Sequence, residues 1–321
     1  MTALLRLADV SVDIGRARLL DGVSLTLGRG EILGLVGESG SGKSLTTLAI
    51  TGLLPLIGGK VSGGSIHFDG VDLATLSEAG RRKLRGGRIG FVMQNPMTAL
   101  DAVQRIGDQI DIVSRLHLGL SAQEARARTL DLMVQLRIPE AGAVAEAYPH
   151  QLSGGMKQRI VIAMAFAGDP DLIVADEPTT ALDVTVQAQI VQILTSLVRE
   201  RGVALLMVTH DMGVVAQVCD RVAVLYAGRI AEERAIGPLF EAPAHPYTSA
   251  LVGCIPREDM PPGSLRGIAG SVPTSGRYPP GCRFHPRCPW VETRCREERP
   301  FLRPMIPDGS VACHVAGREV Q

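Results

Sequence analysis

The stretch Gly37-Glu38-Ser39-Gly40-Ser41-Gly42-Lys43-Ser44 constrains this chain more than any other part of it. It satisfies G-x-x-x-x-G-K-[ST], the pattern of a phosphate-binding loop. It lies between an apolar run, Glu31–Val36, that reads as a buried strand and Leu45–Thr51, which reads as the first turns of a helix. That strand–loop–helix context is what the pattern needs in order to mean something. Glycines let the backbone turn tightly and aim its N–H groups at phosphate oxygens. The helix N-terminus adds positive potential at the same point. Lys43 supplies a point charge for terminal phosphates, and Ser44 a hydroxyl for Mg2+.

With 321 residues, 45% of them hydrophobic, the chain is long enough for one large domain or two smaller ones with a sizeable core. Lysine plus arginine and aspartate plus glutamate balance at 33 each, so no basic excess points to nucleic acid or to an anionic membrane surface. No apolar run approaches the roughly 20 residues that span a bilayer, and Met1–Arg6 lacks the pattern of a signal peptide. The expectation is a cytoplasmic protein. In that compartment the six cysteines do not read as three structural disulfides, and metal ligation is the better default for any that cluster.

Leu4–Val12 and Val23–Leu27 alternate as half-buried strands do. Ile66–Phe68 before Asp69-Gly70 reads as another strand, and Arg88–Met93 as a short apolar one. From about 96 to 165 the pattern turns helical, for example Ala122–Leu136. Leu172–Ala175 and Ala204–Val208 are strongly apolar strands around a helix, Gln187–Arg199. Strands alternating with helices predict a parallel sheet covered on both faces. Composition shifts after Ile236. Fourteen of the 20 prolines lie from Pro238 onward, together with five of the six cysteines and Trp290. Long regular elements are not expected there. The cysteines suggest a small appendage held by a metal centre.

Leu172-Ile-Val-Ala-Asp176-Glu177 is an apolar strand ending in two acids, suited to holding Mg2+ through Asp176 and polarising an attacking water with Glu177. Leu152-Ser153-Gly154-Gly155-Met156-Lys157-Gln158-Arg159 offers a hydroxyl and N–H groups at a helix start, which is anion-binding chemistry as well as a helix cap. With this octet the chain resembles the nucleotide-binding subunits of ATP-binding cassette (ABC) transporters. Met156, where many members carry Gln, is similar to the oligopeptide and dipeptide importers.

The resemblance covers about residues 4–235 and implies roles for the remaining landmarks. Gln94 resembles the glutamine that touches Mg2+ or water and moves with the membrane subunit, so Ser44, Gln94 and Asp176 are the implied Mg2+ set. Pro178-Thr179-Thr180-Ala181-Leu182-Asp183 resembles the segment that lies across the dimer interface. His210 resembles the histidine that contacts the γ-phosphate. Ser153, Gly154, Gly155 and Met156 would serve ATP bound to the opposite subunit. One departure is that Val12–Arg16 contains no aromatic residue to stack on adenine. Ile14 would give apolar contact, Arg16 or Arg18 would stack by the guanidinium plane, and a preference for ATP over GTP is not fixed.

In the tail, Gly237-Pro238-Leu239-Phe240 and His245-Pro246-Tyr247-Thr248 resemble the C-terminal extension of oligopeptide, dipeptide and nickel importer ATPases. Cys282, Cys288, Cys295 and Cys313 follow, spaced C-x5-C-x6-C-x17-C. Four thiolates can ligate zinc or an iron–sulfur cluster. The spacing lacks the paired knuckles of most zinc sites, and the resemblance implies a 4Fe–4S cluster, with Zn2+ as the alternative and His285 and His314 as neighbouring ligands.

The expected architecture is α/β, a P-loop NTPase ABC ATPase core with an antiparallel β subdomain and a helical subdomain over 96–165. The nucleotide-binding domain would span 1–235, and a small irregular metal-stapled extension 236–321. The implied function is ATP hydrolysis that energises import of di- or oligopeptides. Nickel chelates or another small solute are the alternative, and a soluble ABC ATPase of DNA repair or translation is a more distant one. The implied partners are a second, different ABC ATPase, two integral-membrane permeases and an extracytoplasmic substrate-binding protein, with no nucleic acid. The implied location is the cytoplasmic face of the inner membrane, as a peripheral subunit.

Overall fold

A computed structural model describes residues 3–179, 182–256, 260–261, 267–305 and 308–316. The chain divides into two compact units. One is formed mainly by Asp72–Val208, the other by Leu5–Thr26, Ile32–Val71 and the residues from Thr209 onward.

In the first unit three parallel strands, Ile89–Val92, Leu172–Asp176 and Ala204–Thr209, lie side by side in that order. Every residue of the last two is buried. Continuous apolar runs of this kind are what a parallel sheet covered on both faces requires. Helices Ile106–Leu118, Ala122–Gln135, Ala141–Glu146 and Gly154–Ala167 form the helical part. Ala122–Gln135 starts at a capping box in which Ser121 and Glu124 satisfy each other's backbone N–H. Gly90 lies against the Ala165 carbonyl, where a Cβ would collide, so the end of Gly154–Ala167 sits directly on strand Ile89–Val92. Helix Val184–Arg201 is longer than the expected Gln187–Arg199 because Asp183 caps it, accepting from Val186 N–H.

In the second unit, strands Ala17–Leu27, Leu5–Ile14 and Gly59–Phe68 form an antiparallel sheet in that order. The last is far longer than the expected Ile66–Phe68, because its first half, Gly-Lys-Val-Ser-Gly-Gly, is too exposed and glycine-rich to look like a strand. Strand Ile32–Val36 pairs in parallel with Arg221–Tyr226, which pairs antiparallel with Arg229–Ala235.

The tail is more regular than its prolines suggest. His245 caps helix Pro246–Gly253. Ser310–Val311 adds to Arg229–Ala235, and Arg303–Pro304 pairs with it in turn. Asp21 of strand Ala17–Leu27 receives Arg229, Arg283 and Arg299, which ties the tail to the antiparallel sheet. Burial alone would raise the Asp21 carboxyl. The Arg229 hydrogen bond and the charges of Arg229, Arg299 and Arg283 outweigh it and hold the group below its ordinary value.

Apolar packing accounts for part of what holds this tail. Ala244, Cys295, Val311, Cys313 and Val315 form a buried apolar cluster, with Cys282, Trp290, Val291 and Met305 packed against it. Cys295 and Cys313 are part of that cluster. None of the six cysteines is in a disulfide.

Candidate functional site

The P-loop grows out of strand Ile32–Val36, whose five residues are fully buried and so give the loop a rigid base. Its glycines are required by the backbone. Gly40 and Gly42 have φ of 80° and 109°, which L side chains rarely adopt. A Cβ at Gly37 would run into the Leu225 carbonyl oxygen, and one at Gly42 into Leu20. Gly228 N–H donates to the Ser41 carbonyl at 2.7 Å, and the Ser41 hydroxyl is buried without a hydrogen-bond partner.

Helix Lys43–Thr51 follows with Gly42 at its N-cap. It has no side-chain cap and no acidic residue in its first turn. Its first N–H groups and dipole therefore suit an anion. The buried Lys43 donates from Nζ to the Gly37 carbonyl at 2.8 Å and the Glu38 carbonyl at 3.2 Å. Ser44 is exposed at the helix start. The donor set of Lys43, Ser44 and uncapped N–H groups fits a Mg2+-bound polyphosphate.

Elsewhere in the same unit, the exposed His210 directly follows strand Ala204–Thr209. Asp211 beside it caps helix Met212–Val218 through Gly213 and Val214 N–H. Half-buried Ile14 ends its strand opposite Gly59. Arg18 is engaged with Asp13 at 3.2 Å, while Arg16 is exposed.

The other unit holds the second group of predicted residues. Asp176 is buried at the end of strand Leu172–Asp176. Glu177 follows at φ 46°, a left-handed conformation that costs a non-glycine residue energy and recurs at functional sites. Its N–H is fixed on the Val208 carbonyl at 2.8 Å, and its carboxylate accepts from Gln94 Nε2 at 3.0 Å. Two residues 83 positions apart are thus brought together.

Ser153 caps helix Gly154–Ala167, accepting from Met156 N–H at 3.3 Å, and Ser153 and Gly154 are exposed. A Cβ at Gly155 would come within 2.8 Å of the Val186 side chain, so one of them would have to shift. The start of helix Val184–Arg201, with the exposed Asp183 at its cap, therefore lies against the Ser153–Met156 segment. Thr180 and Ala181, predicted with Asp183, lie outside the described residues.

Cys282, Cys288, Cys295 and Cys313 are gathered in the tail, each within electrostatic range of others of the set. Among the described residues no group of three or more His, Cys, Asp or Glu side chains could hold a metal ion. Burial, and secondarily the other thiols, pushes the Cys313 thiol up to about 12 and raises Cys282 and Cys288 in the metal-free chain. The His285 and His314 rings are engaged with the Cys282 and Glu298 carbonyls.

Tyr247 and Arg287 are the functional candidates that sequence reasoning missed. Both bond Glu38 of the P-loop. The His245-Pro246-Tyr247 segment stood out in the sequence, but nothing there linked it to a residue 209 positions away.

Residues 20–180 match the ABC transporter family model, and residues 231–295 match the oligopeptide/dipeptide transporter C-terminal region. The oligopeptide transport ATP-binding protein AppD of Bacillus subtilis is 43% identical over 94% of this chain and 92% of its own length. The dipeptide transport ATP-binding protein DppD of Escherichia coli K12 is 42% identical over 97% of this chain and 96% of its own. Among solved structures, the dimeric post-hydrolysis state of the ATP-binding cassette MJ0796 bound to ADP and Pi superposes with a TM-score of 0.64 at 30% identity. It covers 72% of this chain and 98% of that one. The chain belongs to the ATP-hydrolysing ABC transporter family, in the branch that carries the oligopeptide/dipeptide transporter C-terminal region.

Proposed function

We propose that this chain is the ATP-hydrolysing subunit of an importer of di- or oligopeptides. The observation that carries the cargo class is the C-terminal region over 231–295, together with relatives whose names specify oligopeptide and dipeptide transport. On this reading Gly37–Ser44 hold the ATP phosphates. Ser44, Gln94 and Asp176 would hold Mg2+, which would supply positive charge for the phosphates. Glu177 orients and deprotonates the attacking water, and His210 contacts the γ-phosphate. Catalysis is positioning plus electrostatics, with no covalent intermediate. The left-handed backbone at Glu177 and its bond to Gln94 support that pairing of roles.

Ser153, Gly154, Gly155 and Met156 would close on ATP held by a second ATPase, with Asp183 at the same interface. The nucleotide-binding domain would run over 1–235, with 236–321 accessory to it. The partners would be a different ABC ATPase, two permeases and a substrate-binding protein, on the cytoplasmic face of the membrane. No helix among the described residues is long and apolar enough to cross a membrane. The exposed Met97, Val103, Ile112 and Leu116 offer apolar surface for a permease. A 4Fe–4S cluster, or Zn2+, on the cysteine quartet is the finest part of the reading. Its support is the gathering of four thiols in one segment, against their burial.

The test is reconstitution of the chain with its permeases, partner ATPase and binding protein in vesicles. Peptide-dependent ATP hydrolysis and peptide uptake are expected, and both vanish with Lys43→Ala. Hydrolysis that no peptide stimulates removes the cargo assignment. Iron, sulfide and zinc counted per chain after anaerobic purification decide the quartet, and a chain without any of them ends the metal proposal.

A further inference from the structure

Glu38, the second residue of the P-loop, has every polar group engaged. Its carbonyl accepts from Ser41 N–H and from Lys43 Nζ, both at 3.2 Å. Its N–H donates to the Tyr247 phenol oxygen at 2.8 Å. Its carboxylate takes a two-pronged grip from Arg287, Nη1 to Oε2 at 2.7 Å and Nη2 to Oε1 at 3.0 Å. The Arg287 side chain is only 5% exposed. It is fixed from behind by the Ala269 carbonyl at 2.8 Å, the Ile268 carbonyl at 3.3 Å and the Tyr226 hydroxyl at 3.3 Å. Tyr247 is fully buried against Tyr226 and Phe284, at ring separations of 4.6 and 5.4 Å.

We infer that Arg287 and Tyr247 are positioning residues for nucleotide binding, acting on the P-loop through Glu38. Two physical reasons lead there. The first is charge. A carboxylate inside a phosphate-binding loop repels the ligand, and a buried bidentate guanidinium neutralises it. The second is order. The loop needs left-handed backbone at Gly40 and Gly42, so an unanchored loop populates many shapes and loses affinity in being fixed. Glu38 is where the accessory segment removes that freedom. Its carbonyl also holds Lys43, so a shift of its peptide plane moves the ammonium as well. The tail thus contributes to the ATP site of its own chain.

The inference rests on the P-loop being the ATP site, and the test separates the two. ATP affinity, KM, kcat and Tm are measured on the full chain within its assembled transporter. Arg287→Met is expected to raise the KM for ATP about tenfold with kcat changed less than about twofold, the loss of a charge-assisted pair. Tyr247→Phe keeps the ring and removes the acceptor, and should raise KM about fivefold. In a Glu38→Gln background the same Arg287→Met change should cost under about twofold, because the charge it neutralised is gone. Arg287→Lys should recover only part of the affinity, since a lysine lacks the fork. An unchanged KM, or additive effects of Glu38→Gln and Arg287→Met with Tm and kcat falling together, overturns the inference. Failure of the parent chain to bind ATP would instead overturn the nucleotide reading itself.

Discussion

His245 shows how a single residue can tie stability to pH. Its ring is fully buried, and burial pulls its pKa down to about 3. Nδ1 accepts Tyr247 N–H at 3.0 Å, so the neutral ring is the helix cap and a proton would take its acceptor away. The unfolded chain takes that proton below the ordinary value of 6.5, whereas the folded chain resists it down to about 3. Stability is therefore complete above pH 6.5 and falls below it, by about 1.4 kcal/mol per pH unit for one proton. Glu232, whose carboxylate accepts the Ala244 and His245 N–H groups, works the other way. Burial raises its pKa, so it favours the folded state as pH falls. His245→Asn keeps a capping oxygen and isolates the histidine contribution. The loss of Tm between pH 6.5 and 5 should be shallower in the variant. Equal slopes would mean that the ring does not titrate between the folded and unfolded states.

At the scale of elements, helix Gly154–Ala167 has two roles at one end. Ser153 satisfies Met156 N–H in the folded chain, and on the proposed reading its hydroxyl also meets the γ-phosphate of a partner's ATP. Loss of the cap alone costs about 1 kcal/mol. Loss of an anion-stabilising donor in the transition state costs about 10²-fold in turnover. Ser153→Ala should therefore lower Tm by only a few degrees, about what that energy gives, while transporter ATPase falls far more. A small Tm change with normal turnover would leave Ser153 as a cap and nothing else.

The same element explains what could be read from sequence. Motifs whose chemistry needs consecutive residues, such as Gly37–Ser44 and Ser153–Met156, were visible, as were strands whose burial leaves a continuous apolar run, such as Leu172–Asp176. What stayed hidden depends on distant pairing. Strand Arg229–Ala235 reads Arg-Ile-Ala-Glu-Glu-Arg-Ala, too polar to predict as buried, yet Glu232 is satisfied by the Ala244 and His245 N–H groups and Glu233 by Arg221. Nothing in the cysteine spacing shows that Cys282, Cys295 and Cys313 pack with Val311 and Trp290. Tyr247 and Arg287 carry no local sign of the Glu38 contact at all.

For the whole molecule, the exposed groups say more than the buried ones. Ser153, Gly154 and Asp183 face solvent, and Val184 beside them is 83% exposed. Polar anion-binding groups and a bare valine at the starts of two adjacent helices are poor surface for a lone subunit and good surface for one that pairs around ATP. On that reading ATP is part of the interface, so pairing should persist as long as the nucleotide is intact. Glu177→Gln keeps the side-chain shape and an oxygen for Gln94, but cannot take a proton from water. It should bind MgATP normally, lower turnover by about 10²-fold or more, and hold a paired species that ADP does not support. Sedimentation of the purified chain with its partner ATPase, in MgATP and in MgADP, measures this. Near-normal hydrolysis by the variant removes Glu177 from the base role. A slow variant that stays unpaired in MgATP would mean that closure does not run through Ser153–Met156, and that hydrolysis is completed by groups within one chain.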